Sequence, residues 1–240
     1  MARLFDDGNS EYLEVAQAPA TGLPLTLAAW VRTDDLATSQ CALSIADSGT
    51  TNNFVEIWFQ QSDDTARLTT SNSSGLAAAI STASLSANTW HHICGAAQSG
   101  NNYIWLDGGN KGSTSYNYAP ASLNRTAIGR LCDSTPSLYW SGGIAEAAIW
   151  DVVLTDAEVA MLARGYSPLF VRPQNLVAYW PLIRDEDQDR VGGYDMAAYN
   201  TPSVAAHPPI IYSAQLHIPA PASIDLGGGQ MTLMRGYWGP

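Results

Sequence analysis

Glu146 and Asp151 stand in GGIAEAAIWDVVLTDAEVAMLARG, residues 142–165, and a pair of carboxylates is the arrangement in this chain that invites a hydrolytic reading. Glycoside hydrolysis needs two carboxyl groups roughly 5–10 Å apart, one to protonate the leaving group and one to act as nucleophile or base. On a strand, acids that share a face must alternate, and the i+2 neighbour of Glu146 is Ala148, with no second acid on that face before Asp151. A pairing of Glu146 with Glu56 or Glu14 across strands stays open. The densest acidic run is RDEDQDR, where Asp185, Asp187 and Asp189 have the alternate spacing of a calcium loop. An EF-hand would need Gly at its sixth position and Glu at its twelfth, and those positions hold Arg190 and Met196, which favours a solvated loop. His91 and His92 are adjacent on a strand, face opposite ways and cannot share one ion. His92 reads as a packed structural residue, and no Ser/His/Asp or glycine-rich phosphate signature stands out.

Composition narrows the partners. The 240 residues carry 11 basic and 22 acidic side chains, a net charge of −11, and Lys111 is the only lysine. Without a basic stripe to neutralise phosphates, nucleic acid is excluded as a partner. Only 14% of residues are charged, so the surface is neutral and rich in hydroxyls and amides. Cys41, Cys94 and Cys132 are odd in number and widely spaced, which points to buried free thiols over a zinc site or a disulfide framework. No apolar run reaches membrane-spanning length, so no membrane insertion is expected. The first strand follows Met1 at once, so synthesis in a cytoplasm without a cleaved leader is expected.

The elements that must position these residues are strands. PLTLAAWVRTD (24–34), FVEIWFQQ (54–61), TWHHICGAAQ (89–98) and NYIWLDGG (102–109) alternate with a period of two. In the last, Ile104 and Leu106 face one way and Tyr103 and Trp105 the other, ahead of a DGGN turn. Punctuation by Asn, Gly and Ser predicts an all-β antiparallel sandwich. One short helix is expected: Thr155 as N-cap and Glu158 three residues on form a capping box, Gly165 stops it, and Val159 and Leu162, with Met161, dock it on a sandwich edge. The compact domain is placed at 1–209. Residues 210–240 combine apolar side chains with prolines and a GGG break, a composition that suggests an extended arm. The arm's contact residues would be Ile210, Ile211, Tyr212, Leu216, Ile218, Leu226, Met231, Leu233, Met234, Tyr237 and Trp238, docked on a partner or a neighbouring subunit.

The segments TWHHICGAAQSGNNYIWLDGG, AIGRLCDS and GGIAEAAIWDVVLTDAEVAML, with the opening RLFDDGNSEYLEV, resemble in order the laminin G-like and pentraxin branch of the concanavalin A-like lectin/glucanase superfamily. The likeness runs over about residues 3–183. It implies a jelly-roll sandwich of two antiparallel sheets that binds sugars or proteins, often through calcium. The family's calcium run falls on Leu131, Cys132 and Asp133, and its Asp-Asn pair on Asn52 and Asn53, so two carboxylates are lost and a calcium ion would be held weakly or not at all. The family's disulfide partner to the cysteine of the WxHIC strand falls on Ala28, leaving Cys94 unpaired. The Glu-x-Asp-x-Glu strand of the family's laminarinases has no counterpart. Trp30, Trp58, Trp90, Trp105 and Trp150 match core strands of the family. Tyr116, Tyr118, Tyr139 and Trp140 lie in loop or strand-edge sequence and are the candidates for stacking on a sugar.

These readings together predict a non-enzymatic accessory structural protein of a phage virion, a capsid decoration protein or a head or tail fibre component. Its partners would be other virion proteins or copies of itself, with cell-surface glycan as a further partner, and its place the virion surface. It would need no cofactor, or at most a structural calcium ion. A free carbohydrate-binding lectin is the alternative, and a glycoside hydrolase the second.

Overall fold

The structure, a computed structural model, describes residues 1–212. Among these, fifteen strands alternate along the chain: β1 (Ala2–Phe5), β2 (Tyr12–Val15), β3 (Leu25–Thr33), β4 (Gln40–Ala46), β5 (Phe54–Gln60), β6 (Thr65–Asn72), β7 (Gly75–Ser84), β8 (His91–Gln98), β9 (Asn101–Leu106), β10 (Gly109–Thr114), β11 (Arg125–Ile128), β12 (Gly142–Trp150), β13 (Leu176–Trp180), β14 (Ala197–Tyr199) and β15 (Ser203–Ala205). One α-helix, α1 (Asp156–Ala163), follows β12. The strands form two antiparallel sheets, β10-β9-β8-β3-β12-β1-β15, with β13 also on β12, and β14-β2-β11-β4-β5-β6-β7. They stack as the expected all-β sandwich.

Alternation sets the core. Leu27, Ala29 and Val31 of β3 and Ile104 and Leu106 of β9 face Leu43 and Ile45 of β4 and Val55, Ile57 and Phe59 of β5, all buried. The opposite side of the first sheet buries a second cluster, in which Ala28, Cys94, Trp105, Ala148 and Trp150 receive Val159 and Leu162 of α1. The helix is capped as the sequence predicts: Thr155 accepts from the Glu158 backbone N–H and Glu158 reaches back to Thr155. Gly165 closes it at φ +87. Ala28 pairs with Cys94 across β3 and β8, so the position that a disulfide partner would take holds a methyl group, and all three cysteines are free and buried.

β12 is the pivot of the first sheet. Its pairing with β3 slips between Ala145 and Ala148, and Glu146, inside that slip, sits at φ +54. The bulge bends the strand, so that Gly142–Ile144 pair with β1 and Ala147–Trp150 with β13.

Residues 184–209, read from sequence as an acidic loop, contain two strands that extend both sheets: β14 joins β2 and β15 joins β1. The chain does not leave the sandwich at residue 209. The Ile211 N–H donates to the Gly165 carbonyl (2.6 Å) and the Ser167 N–H to the Ile211 carbonyl (3.3 Å). Ile211 and Tyr212, expected on a partner, therefore contact the chain's own sandwich, while Ile210 lies between Pro209 and this bridge. Leu216, Ile218, Leu226, Met231, Leu233, Met234, Tyr237 and Trp238 lie outside the described residues.

Candidate functional site

The aromatic candidates separate by burial. Trp140 is fully buried and packs edge-to-face on Phe59 at 5.8 Å, so it belongs to the core and is withdrawn as a ligand residue. Leu138, two residues earlier, takes φ +56. Tyr139 is half-buried, with its hydroxyl accepting from Arg130 (3.4 Å). Tyr118 is half-buried against Gly75, where a Cβ would come within 2.8 Å of the phenol ring. Tyr116 is 57% exposed and meets Tyr118 edge-on at 6.3 Å.

Tyr116 leads into Asn117, which lines an open groove of about 630 Å³ with Leu23, Pro24, Gln98, Ser99 and Ala119. The segment is fixed in place. The Asn117 side chain donates to the Gln98 and Asn101 carbonyls, the Tyr118 N–H donates to Thr70 Oγ1 (3.3 Å), and Asn72 donates to the Ala119 carbonyl (3.1 Å). None of the lining residues is charged. The amides of Gln98 and Asn117 and the Ser99 hydroxyl can pair with hydroxyl groups, and Leu23, Pro24 and Ala119 can pack against C–H faces.

The two calcium proposals fail on donor chemistry. Asp189 is buried and accepts from the backbone N–H groups of Tyr179, Val191, Gly192 and Tyr194 at 2.8–3.0 Å, which occupies both of its oxygens. Asp187 is paired with Arg3 at 2.8 Å, and Asp185 is exposed. At the family's site, the Ser134 N–H bonded to the Thr50 carbonyl brings the loop of Asp133 against that of Asn52 and Asn53. Asp133 accepts from Thr135, Asn53 from Ala121, and Asn52 from Asn53. Cys132, with its thiol pushed up by burial to about 12, bonds to Ser44 in place of a ligand oxygen. Among the described residues no three His, Cys, Asp or Glu side chains are arranged to hold a metal ion, and the residues present do not fit calcium.

The possible acid pairs are also apart. Glu146 lies on the outer face of the first sheet and Glu56 on the outer face of the second, each 3% exposed. Glu14 is bound to Arg130 and Arg125. Glu56 sits in a transverse row with Ser44 and Thr69, next to the row of Cys41, Trp58 and Arg67. Burial pushes its carboxyl up to about 8; the Cys41 thiol opposes the shift and Asp133 adds to it. Trp58 is not a core residue but a half-buried one on this face, donating to Thr69 (2.7 Å) under the Arg67 guanidinium. Trp30 and Trp90 are likewise half-buried, whereas Trp105 and Trp150 are core as expected.

Two constellations escaped the sequence. The first is Ser86, His91 and Asp107: Ser86 Oγ lies 3.0 Å from His91 Nε2, and His91 Nδ1 lies 2.8 Å from Asp107 Oδ2. The Ser86 backbone N–H also donates to Nε2 (3.1 Å), so the lone pair that a general base would use is shared with a fixed donor. The trio clips the β7–β8 loop to the β9–β10 turn. The second surrounds Glu146, which accepts from the Tyr179 hydroxyl (2.6 Å) and the Tyr212 hydroxyl (2.8 Å) and pairs with His207 Nε2 (3.3 Å). His92 and Trp30 line the same crevice, which leaves no room for water, and burial drives His92 down to about 4. His92 is thus the packed residue expected.

The family model for laminin G-type domains of the concanavalin A-like lectin/glucanases superfamily matches residues 7–160, and the chain belongs to that family. A heptameric SAP-like pentraxin from Limulus polyphemus is similar in fold, at 18% identity and TM-score 0.52 over 64% of this chain and 75% of the pentraxin. A Bacteroides ovatus protein, provisionally described as carbohydrate binding, shares 16% identity and TM-score 0.61 over 88% of this chain and 61% of its own. Tailspike protein 2 of the Escherichia coli O157:H7 bacteriophage CAB120 shares 17% identity and TM-score 0.55 over 75% of this chain, which spans 26% of the tailspike. No curated protein matches the chain in sequence.

Proposed function

We propose that the chain is a non-catalytic, lectin-type sandwich that binds uncharged glycan in the groove beside Tyr116 and serves as an accessory structural protein on a phage virion. The observation that carries the glycan reading is the groove itself, whose lining of Leu23, Pro24, Gln98, Ser99, Asn117 and Ala119 offers amides and a hydroxyl without any charge. A net charge of −11 repels acidic sugars and leaves neutral ones as the better ligands. The non-catalytic reading is supported by the placement of Glu146 and Glu56 on opposite faces, each buried.

The virion role is supported by the lysine-poor surface, by the apolar composition of residues 213–240, and by the occurrence of the same fold in a phage tailspike, at an identity that speaks for the fold alone. In this role the partners are other virion proteins or copies of the chain. The protein is made in the cytoplasm and comes to lie on the particle surface. The test compares the full chain with a variant ending at Tyr212, which retains all fifteen described strands, in sedimentation with particles and on a glycan array. Loss of particle attachment with neutral-glycan binding kept supports both parts of the reading. Attachment that survives the deletion overturns the virion arm, and glycan binding without any attachment of the full chain favours the free lectin.

A further inference from the structure

The last described residues are held by a set of contacts that neither glycan binding nor catalysis accounts for. Glu146 projects from the bulge of β12 at φ +54, a conformation costly for a residue with a side chain and maintained only where the surroundings enforce it. Its two oxygens receive Tyr179 from β13 and, from the C-terminal segment, Tyr212 and His207. The His207 ring shows which proton state this arrangement fits. Nδ1 faces the Pro208 carbonyl at 2.9 Å, and Nε2 faces the Pro181 carbonyl at 3.2 Å and Glu146 Oε1 at 3.3 Å. All three partners can only accept, so both ring nitrogens must carry protons for the ring to be satisfied. A neutral imidazole would turn one lone pair towards an acceptor. His91, by contrast, accepts a backbone N–H at Nε2.

We propose that His207, Glu146 and Tyr212 form a pH-dependent latch that fastens residues 207–212 across the end of α1. The backbone follows the side chains. Ile211 pairs with Tyr166, its N–H bonds to the Gly165 carbonyl, and Gly165 lets the strap lie close, because a Cβ there would come within 2.5 Å of the Pro209 carbonyl. The titratable groups facing the latch are Tyr179 from β13, His92 from β8 and Tyr166 from the turn after α1. Burial opposes a charged His207, but its bonds to Glu146 and to the two carbonyls outweigh burial and hold its pKa above the ordinary value of 6.5. The latch is therefore fully fastened below pH 6.5 and loosens as the pH rises through the raised value.

Hydrogen exchange on the full chain, corrected for the intrinsic pH dependence of exchange, tests this. Protection of the Ile211 amide should fall several-fold from pH 5.5 to pH 9 while amides of β3 keep theirs. In His207→Gln, neutral at every pH, Ile211 should show the low level throughout. Tyr212→Phe, which removes a donor without changing charge, should lower protection while retaining the pH dependence. Histidine proton shifts, assigned by the signal missing in His207→Gln, should place His207 above the ordinary histidine range. Ile211 protection that ignores pH in the wild type, protection in His207→Gln equal to wild type at pH 5.5, or a His207 titration at or below 6.5 would overturn the latch.

Discussion

Two buried glutamates, one on each outer face of the sandwich, have received opposite treatment. Glu146 and Glu56 are each 3% exposed near the middle of a sheet. Glu146 is supplied with two tyrosine hydroxyls and a histidine, whereas Glu56 Oε2 meets no hydrogen-bond partner among the described residues and burial raises its carboxyl to about 8. A buried acid can be kept either by donors that match it or by retaining its proton. The difference follows from what covers each face. The first sheet is covered by α1 and a returning C-terminal segment with polar tips, the second by the hairpin around Cys132 and Leu138, which brings thiol and aliphatic groups.

Removing each carboxylate should therefore have unlike consequences. The larger effect is expected from Glu146→Ala, which leaves the Tyr179, Tyr212 and His207 donors without their acceptor and should cost about 3 kcal/mol in urea unfolding. A loss under about 1 kcal/mol would mean that the cluster around Glu146 is incidental to stability. Glu56→Gln should act with the opposite sign. In the wild type the unfolded chain ionises Glu56 near its ordinary 4.5 while the folded chain retains the proton until about 8, so stability is full below 4.5 and falls across that window. The glutamine variant should show a flatter profile and exceed the wild type by roughly 1–3 kcal/mol at pH 8. Equal slopes in the two proteins would show that Glu56 ionises in the folded state without penalty.

Local signals made much of the fold readable in the sequence. Period-two strands and the Thr155–Glu158 capping box depend on near neighbours and stand as expected, while the pairing of Ala28 with Cys94 matches what the family resemblance implies. β14 and β15 were not readable, because AAY and SVA are three residues long and mostly exposed, and they pair with β2 and β1 from the far end of the chain. Trp140 misled because its flanks look like a loop, while its ring is buried against Phe59. Glu146, Tyr179, His207 and Tyr212 come from three elements, and no spacing announces their meeting. Tyr116 was legible as an exposed aromatic. The groove lined by its neighbour Asn117 was not, because Leu23 and Asn117 come from two separate connections and Gln98 from the end of β8.

That groove bears the account's central claim, and amide chemical-shift mapping with neutral and sialylated oligosaccharides tests it most directly. Neutral chains should shift the Gln98, Ser99 and Asn117 amides in a saturable way, with the effect lost in Tyr116→Ala and absent with the sialylated chains. Shifts centred on Trp58 or Tyr199 on the second sheet, or none with any neutral glycan, would contradict it.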